Sequence, residues 1–433
     1  MPTQKPREIA VRVLQRHGQG VDFVENLLES ELPALSGPDR GLCQELVFGI
    51  VRWQRTLDWL IAQKSGRRDQ KPSLLILLRL GLYQLFWLDR VPDHAAVNET
   101  VELARQFGLG PQSGFINALL RGYTRERYAT RTKIEHLKHS LPALGCSHPD
   151  WLCARWQQRW GPEKLRQLLD WNNAPPPTFA RVNTLRTDAG SLLDQWRLEG
   201  VHHEAVRRDW FEDNLVFELK VHPPLASLPS FQQGGFYVQD PGTLLAVHEL
   251  APQPGDSILD LCAAPGGKTT RIAQLMRNRG RLVAREINPS RLHVLSGNCR
   301  RMGVVCAELL SHTGGSATEP AELADRVLVD VPCSNTGVLR RRLDARWRIR
   351  PEEIHRLRST QSELLHLGAL QTRPGGTLVY STCSLEPEEN SELVKDFVES
   401  HSAFELESER ELLPFIDSVD GAYVARIRRR LPL

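Results

Sequence analysis

Asp260-Leu-Cys-Ala-Ala-Pro-Gly-Gly-Lys-Thr269 decides how this chain folds, because there an apolar strand runs into a glycine turn and then into a helix. Residues 257–261 have strand chemistry, Pro265, Gly266 and Gly267 demand a tight turn, and Ile272, Ala273, Leu275 and Met276 carry a helical apolar face. A βα unit is expected. Paired glycines let the backbone approach a ligand closely, and the N–H groups of a helix start face whatever binds there. On the glycines alone, a structural turn in any α/β protein is the competing reading.

Downstream the same alternation continues, with strands over residues 281–287, 326–331 and 377–381 and helical stretches after each. Strands separated by helices predict a doubly wound, mostly parallel sheet, in which ligands sit at the carboxyl ends of strands. Four motif-bearing strand ends are therefore expected to meet. The first is the glycine turn. The second is Glu286, 26 residues beyond Asp260 (286 − 260), about where an acid grips a ribose diol. The third is Asp325-Arg-Val-Leu-Val-Asp-Val-Pro-Cys-Ser-Asn-Thr-Gly337, and the fourth is Leu378-Val-Tyr-Ser-Thr-Cys-Ser384, with Glu389-Asn390 just beyond. Each of these two places a cysteine past an apolar strand. A lone cysteine is usually a buried structural thiol, the reading given to Cys262, Cys299 and Cys306; two at neighbouring strand ends argue for chemistry.

Upstream, residues 1–140 show helical periodicity and almost no strand signal, which predicts an all-α bundle. Arg52, Arg55, Arg67, Arg68, Lys71, Arg121, Arg125, Arg127, Arg131 and Lys133 make it basic, as suits an RNA-docking module or a solvated bundle surface. The run Leu74 to Leu88, interrupted by Arg79, is too short for a membrane span and right for a buried helix. Residues 145–235 read as a small α+β module, with strands over 178–183 and near 215–219 and 236–239, a helix over 189–199, and tryptophans that serve as core. Residues 236–433 form the third, α/β domain.

At 433 residues the chain is too long for one core. Its net charge of +3 hides six arginines between 340 and 350 against one acid, Asp344, and a second group at Arg426, Arg428, Arg429 and Arg430. Such runs suit a polyanion or simply a solvated face. The eight cysteines include no CxxC pair and no zinc spacing, which predicts no metal and a reducing compartment. The N-terminus lacks the apolar core of a signal peptide, so a cytoplasmic protein is expected.

Three ordered motifs, Asp260-x-Cys-Ala-Ala-Pro-Gly-Gly-Lys-Thr269, Asp330-x-Pro-Cys-Ser-x-Thr-Gly337 and Ser381-Thr-Cys-Ser384 with Glu389-Asn390, resemble the S-adenosylmethionine-dependent RNA cytosine-5 methyltransferases of the NOL1/NOP2/Sun family. The phrases Asp39-Arg-Gly-Leu-Cys-Gln-Glu-Leu-Val-Phe-Gly49, Val91-Pro-Asp-His-Ala-Ala-Val-Asn98 and Gly114-Phe-Ile-Asn-Ala-Leu-Leu-Arg121 resemble a NusB-type helical domain, and so suggest RNA contact. Together they imply a Rossmann-like methyltransferase domain preceded by a NusB-like domain and a linking module. The implied substrate is one cytosine of 16S ribosomal RNA, position 967, with no membrane partner and a monomeric enzyme.

Cytosine C5 is a poor nucleophile, so it needs a thiolate added at C6 and a proton or hydrogen bond at N3. By the resemblance, Cys383 is that nucleophile, Cys333 is the base that takes the C5 proton and assists release, Asp330 holds N3, and Lys268 is the active-site lysine. The backbone of Cys262, Ala263, Ala264, Pro265, Gly266, Gly267 and Lys268 would cradle the methionine part of S-adenosylmethionine. Glu286 would bind the ribose, and Arg291 and Asp330 would border the same pocket.

The sequence departs from the family pattern in three places. Glu286 stands where Asp is usual, the adenine-binding acid is not evident near Ser311-His312, leaving Glu308 as a candidate, and Asn335 replaces a small residue. The target base must be flipped out or single-stranded to enter, and the arginine run after Cys333 is expected to bind flanking phosphates. The same chemistry on another RNA, such as transfer RNA, and a non-catalytic RNA-binding assembly factor are the alternatives.

Overall fold

The computed structural model describes residues 6–32, 35, 37–66, 70–311 and 323–432; Arg67, Arg68 and His312 lie outside them. The chain divides by contacts into two compact units. One comprises Met1–Ala174 together with Leu339–Arg348, and the other Pro175–Val338 together with Ile349–Leu433. Of the stretch read as the middle module, helix Asp150–Asn173 falls in the first unit and the strands and the helix Ala189–Leu198 fall in the second, while a short late segment, Leu339–Arg348, returns to the first.

The first unit is helical. At its centre lies the helix Pro72–Trp87, in which Leu74, Leu77, Leu78, Leu80, Leu82, Leu85 and Phe86 are all buried. The one charge in that apolar run, Arg79, reaches outward to Asp58, with both nitrogens 2.7 Å from its carboxylate. Among the described residues no helix is long and apolar enough to cross a membrane. Much of the basic character read from the sequence is internally paired: Arg52 is buried, Arg55 pairs with Asp150, Arg127 with Asp93 and Arg131 with Asp89. Lys71, Arg121 and Arg125 face solvent. Helix Asp150–Asn173 spans the start of the stretch read as the α+β module, bending at Gly161 ahead of Pro162, and it buries Trp156.

The arginine run after Cys333 is corrected most sharply. Leu339–Arg348 belongs to the helical unit, where Leu343 joins the core. Arg346 is fully buried and donates to the carbonyls of Ser147 and Asn172 and to Asn173 Oδ1. Arg340 is also buried, its guanidinium 3.7 Å from the centre of the Trp171 ring, and Arg348 pairs with Asp344. These three hold the segment within its unit and are not free for phosphates; Arg342 and Arg350 remain exposed.

The second unit holds two sheets. The smaller contains β1 (Thr178–Val182), β2 (His202–Val206), β3 (Val216–Val221) and β4 (Phe236–Val238) in the order β2-β3-β1-β4. The larger contains β5 (Ser257–Asp260), β6 (Arg281–Glu286), β7 (Ala307–Ser311), β8 (Ala324–Asp330), β9 (Thr372–Thr382), β10 (Phe404–Leu412) and β11 (Ala422–Arg429) in the order β10-β11-β9-β8-β5-β6-β7. Strands β5 to β9 are mutually parallel, and β10 and β11 are antiparallel.

Both faces of this sheet are covered. Ile258, Leu328 and Val379 pack on one side with Ile272 and Leu245, while their neighbours Leu259, Val327 and Leu378 pack on the other with Leu365 and Val394. The period of two and the double covering explain the uninterrupted apolar runs. The closing arginines, read as a possible polyanion site, lie in or beside β11: Arg426 pairs with Glu407 and Arg430 with Glu405, both in β10.

Candidate active site

The order β9-β8-β5-β6 brings the four motif-bearing strand ends side by side at one edge. Asp260 ends β5, Glu286 ends β6, Asp330 ends β8, and Thr382 ends β9 immediately before Cys383.

Gly266 has a φ of +106°, in the left-handed region, and a side chain there would meet Leu295 Cδ1 at 2.9 Å, so only glycine fits. Helix Gly267–Leu275 starts at once. The turn is fastened from two directions. Arg291 Nη2 donates to the Ala264 carbonyl at 2.6 Å, and Arg181 of β1 donates to the Gly267 carbonyl at 2.8 Å and to Thr270 Oγ1 at 2.8 Å. Arg181 is fully buried, and burial pulls its guanidinium down to about 9. Nothing in its sequence context distinguished it from any strand arginine.

Glu286 is buried; its Oε1 accepts from Asn288 N, while Oε2, 3.4 Å from Arg291 Nη1, has no hydrogen-bond partner among the described residues. An acceptor left open beside a glycine cradle fits a ligand hydroxyl. Glu308, the candidate for adenine, instead pairs with Arg281 on the surface.

The two cysteines converge. Cys333 Sγ and Cys383 Sγ lie 2.9 Å apart, and the Cys383 backbone N–H points to Cys333 Sγ at 3.3 Å. Cys333 is 8% exposed, whereas Cys383 is more open. The hydrogen bond with Cys383, then burial, then the charges of Cys383 and, last, Glu389 push the Cys333 thiol well above its ordinary range. Gly337 permits this approach: its N–H donates to the Cys383 carbonyl at 2.9 Å, and a Cβ there would meet that oxygen at 2.8 Å and the Gly421 carbonyl at 2.5 Å. Asn335 spans the pair, donating to the Cys333 carbonyl at 2.8 Å and accepting from Cys383 Sγ at 3.2 Å. Cys262, Cys299 and Cys306 are all raised, first by burial, Cys262 and Cys299 to about 12, as inert thiols are.

Asp330 stands beside them with both oxygens engaged. Lys268 Nζ donates to Oδ2 at 2.7 Å and Ser381 Oγ to Oδ1 at 3.0 Å. Burial opposes the Lys268 charge, but Asp330 outweighs it and raises the amine, which therefore stays protonated. An ammonium, a carboxylate and two thiols in one recess can add a nucleophile to an electron-poor ring and move a proton on and off it.

Three family models match in chain order: the NusB family over residues 4–125, a ferredoxin-like domain of RsmF/B-like methyltransferases over 148–221, and 16S rRNA methyltransferase RsmB/F over 247–428. The chain is 32% identical to a probable ribosomal RNA small subunit methyltransferase B of Bacillus subtilis, with 98% of each covered. It is 34% identical to the ribosomal RNA small subunit methyltransferase B of Klebsiella pneumoniae, again over 98% of each. The chain belongs to the ribosomal RNA small subunit methyltransferase B family. A crystal structure of a methyltransferase homolog protein from Pyrococcus horikoshii, 30% identical, covers 66% of the chain and 97% of its own, with a TM-score of 0.57. A further crystal structure, titled for PH0851, shares the fold over 98% of the chain with a TM-score of 0.80.

For this member of the methyltransferase B family the glycine turn carries a pH signature. Asp260 is buried and accepts from Thr269 Oγ1 at 2.7 Å; burial, with the Asp330 charge adding, lifts its carboxyl from 3.8 to about 7. Because the folded value is raised, the stability it contributes is complete below the unfolded value and disappears as pH climbs toward 7. Relative to Asp260→Asn, the native protein is expected to lose on the order of 4 kcal/mol between pH 4 and pH 8. Denaturant melts of both proteins across that range check this, and parallel pH profiles would exclude it.

Proposed function

We propose that the protein transfers a methyl group from S-adenosylmethionine to C5 of a single cytosine in 16S ribosomal RNA, cytosine 967, through a covalent Cys383–C6 adduct. The observation that carries this reading is the 2.9 Å approach of the Cys333 and Cys383 sulfurs beside Asp330 and the glycine turn. The names of the relatives, which act on the small-subunit RNA, point to the same substrate.

The backbone from Cys262 to Lys268, Glu286 and Arg291 are the groups that would hold the cofactor; when bound it supplies an electrophilic methyl. Cys383, the more open sulfur, adds as thiolate to C6 and makes C5 nucleophilic. Asp330, hydrogen-bonded to the Lys268 ammonium and to Ser381, passes a proton to N3 as electron density collects there and takes it back when the adduct collapses. Once C5 carries the methyl group, Cys333, as thiolate after releasing its own proton to solvent, accepts the C5 proton; the electron pair returns to form the C5–C6 double bond and expels the Cys383 thiolate. The order suits the burial, since the base needs shielding and the nucleophile needs access.

Incubation of the protein with methyl-tritiated S-adenosylmethionine and 16S ribosomal RNA, followed by nucleoside analysis and bisulfite mapping, is expected to place the label on C5 of cytosine 967. Label on transfer RNA alone would move the substrate, and no label on any RNA, together with no cofactor binding by calorimetry, would favour a non-catalytic assembly factor.

A further inference from the structure

Beneath the two cysteines lies a buried carboxylate. Glu389 is fully buried, and among the described residues no Lys or Arg pairs with it. Its Oε1 accepts from the Ser334 backbone N–H at 2.9 Å and from Gln361 Nε2 at 2.8 Å. Its Oε2 accepts from the hydroxyls of Ser334 and Ser384. The backbone N–H can only donate, and a carboxylate offers lone pairs for all four groups. An unpaired buried charge is costly unless hydrogen-bonded, so this position is retained against a penalty that an apolar residue would avoid.

Ser334 follows Cys333 and Ser384 follows Cys383. One side chain thus grips the residue after each sulfur-bearing residue, on loops that leave two different strands. The next residue, Asn390, adds to the hold on one of them, accepting from Thr382 Oγ1 at 2.6 Å and donating to the Ser384 carbonyl at 2.9 Å. Ser334 Oγ and Ser384 Oγ are themselves 2.9 Å apart, in parallel with the sulfurs above them. Gln361, from helix Pro351–Gln371, completes the ring and also donates to the Pro332 carbonyl at 3.0 Å.

We infer that Glu389 is a positioning residue that sets the spacing of Cys333 and Cys383 by holding the residue after each, and that its negative charge acts on Cys333. The inference rests on the division of labour between the thiols given under Proposed function. It adds a claim of its own: the base and the nucleophile are distinguished by a group that touches neither substrate nor cofactor. Among the described residues the charged or titratable groups facing Cys333 are Cys383, Glu389 and Tyr380, whose hydroxyl donates to the Glu389 carbonyl at 2.6 Å.

Three proteins are compared: native, Glu389→Gln and Glu389→Ala. Methyl transfer to 16S ribosomal RNA is measured under steady-state conditions, and alkylation of Cys333 by iodoacetamide is followed against pH by peptide mass spectrometry. Glu389→Ala is expected to lower kcat about 100-fold with KM for RNA within about threefold, because geometry at the reacting centre is lost while the RNA-binding surfaces are not. Glu389→Gln keeps the hydrogen-bonding shape and removes the charge, so it should recover at least about tenfold of that loss. It should also move the Cys333 alkylation midpoint on the order of one pH unit downward. A merely structural Glu389 would not shift that midpoint. An unmoved midpoint in Glu389→Gln, or native kcat in a folded Glu389→Ala, overturns the inference. Glu389→Gln keeps the test open if the alanine variant does not fold. Methyl transfer by the native protein reports on the underlying function separately, so the two readings fail independently.

Discussion

Cys383→Ala is expected to lower methyl transfer by about four orders of magnitude or more and to leave no covalent protein–RNA species. Cys333→Ala is expected to accumulate that species. The contrast follows from the placement of the sulfurs. With its partner 2.9 Å away, each is close enough to serve the same ring, yet one is open and one is buried. In the proposed mechanism, loss of the open thiol removes the addition to C6 and everything after it. Loss of the buried one leaves addition and methylation intact and stops the reaction at removal of the C5 proton. Denaturing gels of each variant with labelled RNA, alongside single-turnover transfer, distinguish them. Equal adduct yields from the two variants would refute the assignment of roles.

The second large effect is expected at Asp330. Asp330→Asn removes the carboxylate that Lys268 and Ser381 hold at 2.7 and 3.0 Å, and leaves a half-buried ammonium without its partner. Delivery of the proton that neutralises the charge developing at N3 is the contribution lost, and comparable losses amount to about 100- to 1000-fold in kcat. Adduct formation should fall in parallel, because the same charge builds up when the thiolate adds. A variant that forms adduct at the native rate but fails to turn over would move Asp330 to a later step.

How far the sequence can be read depends on how local the deciding physics is. Strands β5, β6, β8 and β9 are legible because they are buried on both faces, and the glycine turn is legible because only glycine tolerates its φ and crowding. Strand β10 escapes notice: its Glu-Leu-Glu-Ser-Glu-Arg-Glu pattern is that of a charged edge strand, which resists pairing with other chains. Strand β2 is largely exposed and carries no apolar run. Helix Asp150–Asn173 hides behind Gly161 and Pro162, whose turn chemistry marks a bend and not an end.

At the site, Cys333, Cys383, Asp330 and Lys268 fall together as their motifs suggest. The roles of the supporting residues do not announce themselves, even where, as with Glu389, the residue itself belongs to a motif. Arg181 acts on a turn far along the chain, and Glu389 acquires its meaning only from Ser334 and Gln361, 55 and 28 residues away. Arg346 misleads for the same reason. A cluster of arginines looks like a phosphate site until the carbonyls of Ser147 and Asn172 close around one of them.

The most direct test of the two-thiol mechanism is to trap the covalent intermediate with 16S ribosomal RNA carrying 5-fluorocytosine at position 967 and to map the linked peptide by mass spectrometry. Fluorine at C5 cannot leave as a proton does, so the adduct persists. The mechanism predicts the base attached through its C6 to Cys383, with Cys333 unmodified in the same molecule. Attachment at Cys333 would contradict it.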